Sequence, residues 1–284
     1  FDMPPRTRMG VEQVIREALV AARRYRDAKE AYQRGERNRP PAYSLRREVL
    51  VDVLEGEVIP HVHSYRADEI LTFMRVMEDF GVQDVVFQHV NEGFKVAPEL
   101  AAFGDDGAGA SVFSDWWAYK FEVYYSTAYN AAILTENDVL TSINTDIPGE
   151  QRDLYLQAAK TLRYGDLSRD QALSLITINP ARQLGIADRV GSIEEGKNAD
   201  IAIFSDHPLS VYTKPQRTYV DGIVRFDHAD DPDDMRLRVD PEGRVSMARD
   251  GAYTRREIGG CRHGAFFRVT GRGISLEQAD QWQW

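Results

Sequence analysis

Apolar residues at helical spacing dominate the first part of the chain. Between residues 11 and 33 they stand three or four positions apart, which predicts a long amphipathic helix. A polar, proline-bearing loop is predicted over residues 35–44, and a second helix over about 44–55, ending at Gly56. These two helices precede a region with a different pattern.

Short apolar runs that end in a polar residue follow, and they alternate with helical stretches. The runs predict β-strands and cover residues 57–63, 84–89, 110–114 and 139–146. The helical stretches cover residues 67–80, 92–102, 150–164 and 168–178. This alternation predicts a parallel sheet with right-handed crossovers, and its spacing suits the units of a (βα)₈ barrel.

The predicted barrel is incomplete, because it needs eight units and about 250 residues, whereas these runs supply four strands. Four strands cannot close and would leave two bare edges. Either the other units lie in another segment or chain, or the fold is an open sheet. The domains predicted are a barrel portion over residues 1–190, strands of a small β domain over 191–228, and a C-terminal extension over 229–284.

Polar residues stand at the ends of three of the predicted strands. His63, His89 and Asp146 each end a run. In a (βα) barrel the loops at that edge converge on one mouth, so two imidazoles and a carboxylate there fit Zn²⁺ or a similar divalent ion. A metal with an open position lowers the pKa of bound water to about 7, and the carboxylate can move its proton. A single histidine at the end of a strand is more often a hydrogen-bonded structural residue than a ligand, so the hypothesis depends on all three residues being in phase.

Neighbouring residues offer further candidates. His61 faces the same side of its strand as His63 and is an alternative ligand, although His63 stands nearer the mouth. Tyr65, Arg66 and Glu92 would project into the mouth and could bind the charged ends of a substrate. For Glu92 the competing interpretation is helix-start chemistry, because acids favour the first turn.

The composition argues against some classes of binding partner. Forty-five acidic against 35 basic residues give a formal charge of −10, which argues against a nucleic-acid partner. No apolar run approaches the roughly 18 residues of a membrane span. The start, with Pro4-Pro5 and no initiator Met, predicts a processed or truncated chain, so the compartment, cytoplasmic or secreted, stays open. The lone Cys261 cannot form an internal disulfide.

Several blocks together resemble the amidohydrolase superfamily, and most closely its imidazolonepropionase-like and prolidase-like bacterial enzymes. Four of them are HSYRADEI at 63–70, QHVNEGFKVA at 88–97, FSDWWAYK at 113–120 and SINTD at 142–146. ITINPAR at 176–182 and GSIEEGKNADI at 191–201 resemble the passage from that family's barrel to its small β domain. The likeness runs from about residue 4 to about residue 228.

The resemblance implies the C-terminal half of a (βα)₈ barrel, about strands 5–8, with part of a small β-sandwich. It assigns His63 and His89 as the fifth- and sixth-strand metal ligands, and Asp146 as the eighth-strand aspartate that binds metal and shuttles the proton. The family's first-strand His-x-His pair and fourth-strand lysine or glutamate have no match here and are expected upstream of Phe1. We therefore expect one or two divalent ions, most plausibly Zn²⁺, an N-terminal half of the same protein as partner, and a homo-oligomer.

The predicted function is metal-dependent hydrolysis of a C–N bond by metal-activated water, acting on a small molecule or short peptide with an amide or cyclic amide. A deaminase or another hydrolase on the same site is the first alternative, and a non-catalytic remnant or interaction module is the second. An open sheet that binds a nucleotide is disfavoured, because no glycine-rich phosphate loop follows any strand.

Overall fold

The computed structural model describes residues 5–116, 118, 120–147 and 149–230, together with the backbone of four short strands beyond residue 236. It divides into two compact units. The first runs to Asn144 and resumes over Gln157–Ser192, and the second comprises Thr145–Leu156 and continues from Ile193.

The first unit begins with a pair of helices, as predicted. Helix α1 spans Arg8–Gln33 and α2 spans Leu45–Leu54. Helix α1 begins earlier than its apolar pattern because the Thr7 hydroxyl accepts a hydrogen bond from the Gly10 amide at 3.1 Å, which caps the first turn. Apolar side chains of α1 and α2, including Ala22 and Val51, form one buried cluster.

A parallel sheet forms the centre of the first unit. Its four strands, in the order β1-β2-β3-β4, are His61–His63, Val86–Gln88, Gly109–Val112 and Leu140–Ile143. The prediction of four parallel strands is therefore confirmed, although each strand is shorter than its apolar run. Within the described residues β1 pairs only with β2 and β4 only with β3, so both sheet edges are open there.

The two faces of the sheet differ in chemistry. One row in register is Val62, Phe87, Ala110 and Thr141, and the last three are fully buried. The neighbouring row is His63, Gln88, Ser111 and Ser142, all polar and all pointing to the opposite face. A polar row on a packed sheet marks that face as the side where chemistry is possible.

The helices of the first unit follow the predicted pattern with two corrections. Helix α3 spans Ala67–Phe80, as predicted, and stops at Gly81 in the left-handed conformation. The helix predicted over 92–102 is wrong as one element: a 3₁₀ turn, Gly93–Lys95, precedes a short α4, Ala97–Ala101. Val96 has a non-helical backbone and Pro98 cannot donate a backbone hydrogen bond, so the helix has to restart.

The second correction concerns the stretch predicted as one helix over 168–178. It forms α7, Arg169–Ser174, and a separate α8, Ile178–Gln183, because Thr177 is non-helical and Pro180 cannot bond back to residue 176. Ser168 and Gln171 form a capping box at the start of α7. Helix α5, Asn130–Glu136, was not predicted, whereas α6, Leu154–Arg163, lies within its predicted range.

The second unit contains an antiparallel sheet. Strands β5, β6 and β7 are Ile201–Phe204, Pro215–Val220 and Ile223–Asp227, and they pair in that order. The turn Asp221-Gly222 has positive φ at both residues, 52° and 74°, which suits a tight hairpin. The predicted strands are thus present, but a complete β-sandwich remains a prediction.

The predicted extension, 229–284, contains two short antiparallel pairs. Leu237–Val239 pairs with Val245–Met247, and Arg256–Glu257 pairs with Phe267–Arg268. Apart from residues 229–230, the rest of the extension lies outside the described residues. None of the helices in the described part combines the length and apolar character needed to cross a bilayer.

Candidate functional site

The structure brings His63 and His89 together at the carboxyl edge of the parallel sheet. His63 is the last residue of β1, and His89 directly follows β2, the strand that pairs with β1. Their ring centroids lie 4.6 Å apart, with the planes inclined by 58°. His89 is buried and His63 is exposed, so one imidazole forms the floor of the edge and the other faces outward.

The ring of His89 is held between two aromatic side chains. It stacks on Phe113 at 4.7 Å and on Tyr65 at 5.4 Å, with interplanar angles of 13° and 23°. The backbone of His89 has φ +63°, in the left-handed region that few non-glycine residues adopt. Such a conformation costs about 1–3 kcal/mol and concentrates at functional sites, which is consistent with a constrained role for this side chain.

His61 lies at the start of β1 and has a different environment. The Gln88 side-chain amide donates to its Nδ1 at 3.0 Å, and its Nε2 lies 3.1 Å from the Gln183 carbonyl, to which it donates. Both ring nitrogens of His61 are therefore engaged in hydrogen bonds within the protein. The arrangement favours His63 over His61 as a metal ligand.

Glu92 caps the start of a helix, but the helix is α3 and not the one that the sequence predicted to begin at Glu92 itself. Its Oε2 accepts a hydrogen bond from the Ala67 amide at 3.0 Å, in the first turn of α3, and its Oε1 lies 3.1 Å from the Lys95 ammonium. The carboxylate is buried and stabilises the positive end of the α3 dipole. Both oxygens are therefore engaged within the protein, and substrate binding by Glu92 stays a prediction.

The Arg66 guanidinium forms an ion pair with a nearby residue of the same segment. Its guanidinium donates to both oxygens of Asp68, at 2.9 and 3.4 Å, and lies over the Phe121 ring. The hydrogen bond with Asp68 raises the pKa of Arg66 and lowers the pKa of Asp68. Substrate binding by Arg66 would have to compete with this ion pair.

Asp146 lies in the second unit, beyond the end of β4. It is exposed, and its backbone has φ +50°, which aspartate tolerates better than most residues. Throughout the described part of the chain, no group of three or more His, Cys, Asp or Glu residues is placed so that it could hold a metal ion. Of the three predicted ligands, the structure thus brings two into contact.

A cavity of about 470 Å³ lies beside His63. Its walls are the first turns of α1, the end of β1, the exposed face of α3 and the loop after β3, and they include Arg8, Glu12, His63, Tyr65, Glu69 and Lys120. The sequence predicted His63 and Tyr65 at such a pocket. It missed Arg8 and Lys120 because neither stands at the end of a strand, where spacing could have revealed it.

Gln183 is a second residue that sequence reasoning missed. It is buried, and its Nε2 donates to the carbonyls of Ala110 and Leu140 at 3.2 and 2.7 Å. Its Oε1 accepts a hydrogen bond from the Ser142 hydroxyl at 2.7 Å. Gln183 comes from α8, so only the tertiary fold brings it onto the polar face of the sheet.

Comparison with known proteins gives consistent matches. A sequence profile described as the Amidohydrolase family matches residues 123–226. The amidohydrolase tasK of Hapsidospora irregularis is 29% identical over 183 residues, covering 63% of this chain and 18% of the relative. An imidazolonepropionase of Picrophilus torridus is 40% identical over 65 residues, covering 23% of this chain and 16% of the relative.

A solved structure extends the likeness to the fold. The crystal structure of an amidohydrolase from Thermotoga maritima MSB8 superposes with a TM-score of 0.71 at 34% identity, covering 79% of this chain and 57% of that one. The chain therefore spans little more than half of that structure, and less than a fifth of the two curated relatives.

Proposed function

This chain belongs to the amidohydrolase superfamily, and we propose that it supplies part of the metal centre of a hydrolase that cleaves a C–N bond. The substrate class proposed is a small peptide or a cyclic amide. The observation that carries the proposal is the contact between His63 and His89 at the ends of adjacent parallel strands. Imidazoles placed in this way at the mouth of a (βα) barrel are typical of catalytic metal sites.

The donor set fits a divalent metal such as Zn²⁺, because imidazole nitrogens and carboxylate oxygens are its usual ligands. His63 and His89 would hold the ion, with Asp146 as the third ligand. When bound, a metal of this kind polarises a carbonyl and lowers the pKa of water to about 7. The absence of a three-residue group among the described residues means that the proposal requires further ligands.

The residues of this chain have separate tasks in the proposed reaction. Asp146 accepts a proton from the attacking water and returns it to the leaving nitrogen. Tyr65 and Phe113 fix the plane of the His89 ring, so that its donor nitrogen keeps one direction. The cavity beside His63 receives the substrate.

We further propose that an N-terminal half of the same protein completes the site. Two features support this proposal. The edges of β1 and β4 are open within the described residues, and a closed barrel would pair them. The described residues also contain no group of three side chains placed to hold a metal, whereas a catalytic zinc site needs three protein ligands and an open position.

Metal analysis of the intact protein tests the proposal. We expect His63→Ala and His89→Ala to lose bound metal and to lower kcat/KM by about 10³-fold or more, since a Lewis acid supplies several kcal/mol of transition-state stabilisation. His207→Ala is the matched control, because His207 lies in a turn of the second unit, where its Nδ1 accepts from the Leu209 amide. It should bind metal as the wild type does.

A non-catalytic module is the second candidate, and the observation that favours it is that no three-residue metal group occurs among the residues that the structure describes. The same metal analysis separates the two. If the intact protein binds no metal, and His63→Ala behaves as the wild type does, the interaction module is the better description. Deamination on the same site remains a prediction that a substrate panel with amide and exocyclic-amine compounds would distinguish.

A further inference from the structure

The rings of four residues form a continuous aromatic column at the carboxyl edge of the parallel sheet. Tyr65 stacks on His89, His89 stacks on Phe113, and Phe113 stacks on Trp116, with centroid distances of 5.4, 4.7 and 4.9 Å. The angles between successive ring planes are only 23°, 13° and 19°. Because rings attract each other in offset stacks of this kind, the column couples the plane of the His89 ring to the position of Trp116.

The side chain of Asn91 holds the loop that carries Trp116. Asn91 is buried, and its Nδ2 donates to the Trp116 carbonyl at 3.2 Å and to the Ser126 hydroxyl oxygen at 2.6 Å. These two bonds join the loop after β2 to positions 25 and 35 residues further along the chain. Asn91 therefore fixes the far end of the aromatic column.

The backbone completes the connection between Asn91 and His89. The Asn91 amide donates to the His89 carbonyl at 2.6 Å, in a three-residue turn. His89 is thus linked to Trp116 by two routes, one through the Phe113 ring and one through the turn and the Asn91 side chain. A backbone with φ +63°, as at His89, persists only where the surrounding structure holds it, and this closed set of contacts does so.

Helix α6 holds the same loop at two further residues. The Ser114 hydroxyl donates to the Gln157 side-chain oxygen, and the Lys160 ammonium donates to Asp115 at 2.6 Å. Together with the bond from Asn91, these contacts hold three successive residues of the loop. The aromatic column therefore stands on a loop that hydrogen bonds keep in place, and not on ring packing alone.

We propose that Asn91 is a positioning residue that fixes the direction of the His89 ring, acting through Trp116 and Phe113. The proposal rests on the proposed role of His89 as a metal ligand. Groups that orient a metal-binding histidine commonly change metal affinity without touching the metal. Here the orienting contacts reach the imidazole through its faces, and Asn91 holds the loop from which they come.

Zinc affinity tests whether Asn91 acts through the column. Zn²⁺ binding by the intact protein is measured by chelator competition for the wild type, Asn91→Ala, Trp116→Leu and the double variant. We expect each single variant to weaken zinc binding about three- to tenfold, which corresponds to the loss of one aromatic stack. The double variant should be no weaker than the weaker-binding single variant, because substitutions along one chain of contacts are not additive.

Conservative substitutions separate ring stacking from general packing. Trp116→Phe keeps a ring that can stack and should retain most of the zinc affinity. Ser126→Ala removes one of the two bonds from the Asn91 side chain at a half-buried site, and it should weaken zinc binding in the same direction but less than Asn91→Ala does. Additive losses in the double variant, or equal losses in Trp116→Phe and Trp116→Leu, would overturn the proposal.

Asn179→Ala is the matched control. The Asn179 side-chain amide also donates to a backbone carbonyl, that of Thr141 at 2.8 Å, but this carbonyl belongs to β4 and not to the loop after β3. Asn179→Ala should bind zinc as the wild type does. Equal weakening in Asn91→Ala and Asn179→Ala would mean that loss of any such bond is sufficient, which contradicts a specific role for Asn91.

Histidine NMR of the metal-free protein distinguishes failure of this proposal from failure of the proposed function. The His89 ring signals, labelled with ¹³C and assigned with His89→Asn, should carry ring-current shifts from the aromatic rings stacked on its faces. Asn91→Ala and Trp116→Leu should move these signals, and Asn179→Ala should not. If they move but the wild type binds no zinc, Asn91 positions the ring and the metal assignment is wrong. If Asn91→Ala leaves the His89 signals unchanged, the proposal is overturned.

Discussion

Two histidines of one short strand show how the same side chain takes different roles. His61 begins β1 and makes hydrogen bonds through both ring nitrogens, to Gln88 and Gln183. His63 ends β1 and contacts the ring of His89, which is stacked between Tyr65 and Phe113. The amino end of the sheet is thus organised by hydrogen bonds, and the carboxyl end by packed rings beside a cavity.

This difference teaches that residue type and strand phase do not by themselves identify a ligand. A ring whose two nitrogens are both engaged in hydrogen bonds cannot bind metal without breaking one of them, and a buried polar group left unsatisfied costs about 1–3 kcal/mol. At the carboxyl end, aromatic contacts fix the ring plane through its faces. The predictions below test this contrast, from the largest expected effect to the smallest.

The largest expected effect is on kcat/KM, which should fall much more when His89 is substituted than when His61 is substituted. We expect His89→Asn to lower kcat/KM by about 10³-fold or more, because loss of a metal ligand removes several kcal/mol of transition-state stabilisation. His61→Asn should lower it less than about tenfold. Steady-state kinetics of both variants, with circular dichroism as a check on folding, make the comparison. Equal losses would remove the distinction between the two ends of the sheet.

Gln183 should contribute to the stability of the protein through its hydrogen bonds to the sheet. Gln183→Ala removes a buried side chain that donates to two carbonyls and accepts from Ser142, so we expect a loss of about 2–4 kcal/mol in the free energy of unfolding. Denaturant unfolding measures it. Gln33→Ala, at the exposed end of α1, is the control and should be nearly neutral. A neutral Gln183→Ala would mean that water replaces these bonds.

Phe113 should affect metal binding at the carboxyl end. Phe113→Leu keeps an apolar side chain but loses the stack on His89, which is worth about 0.5–1.5 kcal/mol. We therefore expect metal affinity to fall by about three- to tenfold in a chelator competition assay. Phe103→Leu, at another buried site, should not change that affinity. If both substitutions weaken metal binding equally, the stack has no specific role.

The smallest effect should come from Asp68, whose pKa is lowered mainly by the hydrogen bond from Arg66. A carboxylate with a lowered folded pKa contributes stability above its unfolded pKa, near 4, and loses it as pH falls through the folded pKa. Asp68→Asn should therefore be slightly less stable than wild type at neutral pH, with the difference vanishing in acid. The contribution is small because Asp68 is largely exposed. Thermal unfolding across the acid range checks it, and a difference that grows in acid would contradict this assignment.

Much of the fold could be predicted from local patterns. The 3.6-residue periodicity located α1, α2 and α3, and the polar residues at strand ends located His63 and His89. The family resemblance is confirmed. Errors arose at Val96 and Thr177, where a single non-helical residue divides an otherwise helical pattern, and at α5, a helix too short for periodicity to reveal.

The sequence by itself determined the order of the parallel strands and which imidazoles lie at their carboxyl edge, because the carboxyl ends of parallel strands meet at one edge of the sheet. Only the tertiary structure decided what each imidazole contacts. Gln183 reaches His61 and Lys120 reaches Tyr65 across large separations in the chain, and no local period encodes such meetings. The physical reason is that hydrogen bonds and ring contacts depend on distances of a few ångströms between elements, which packing sets.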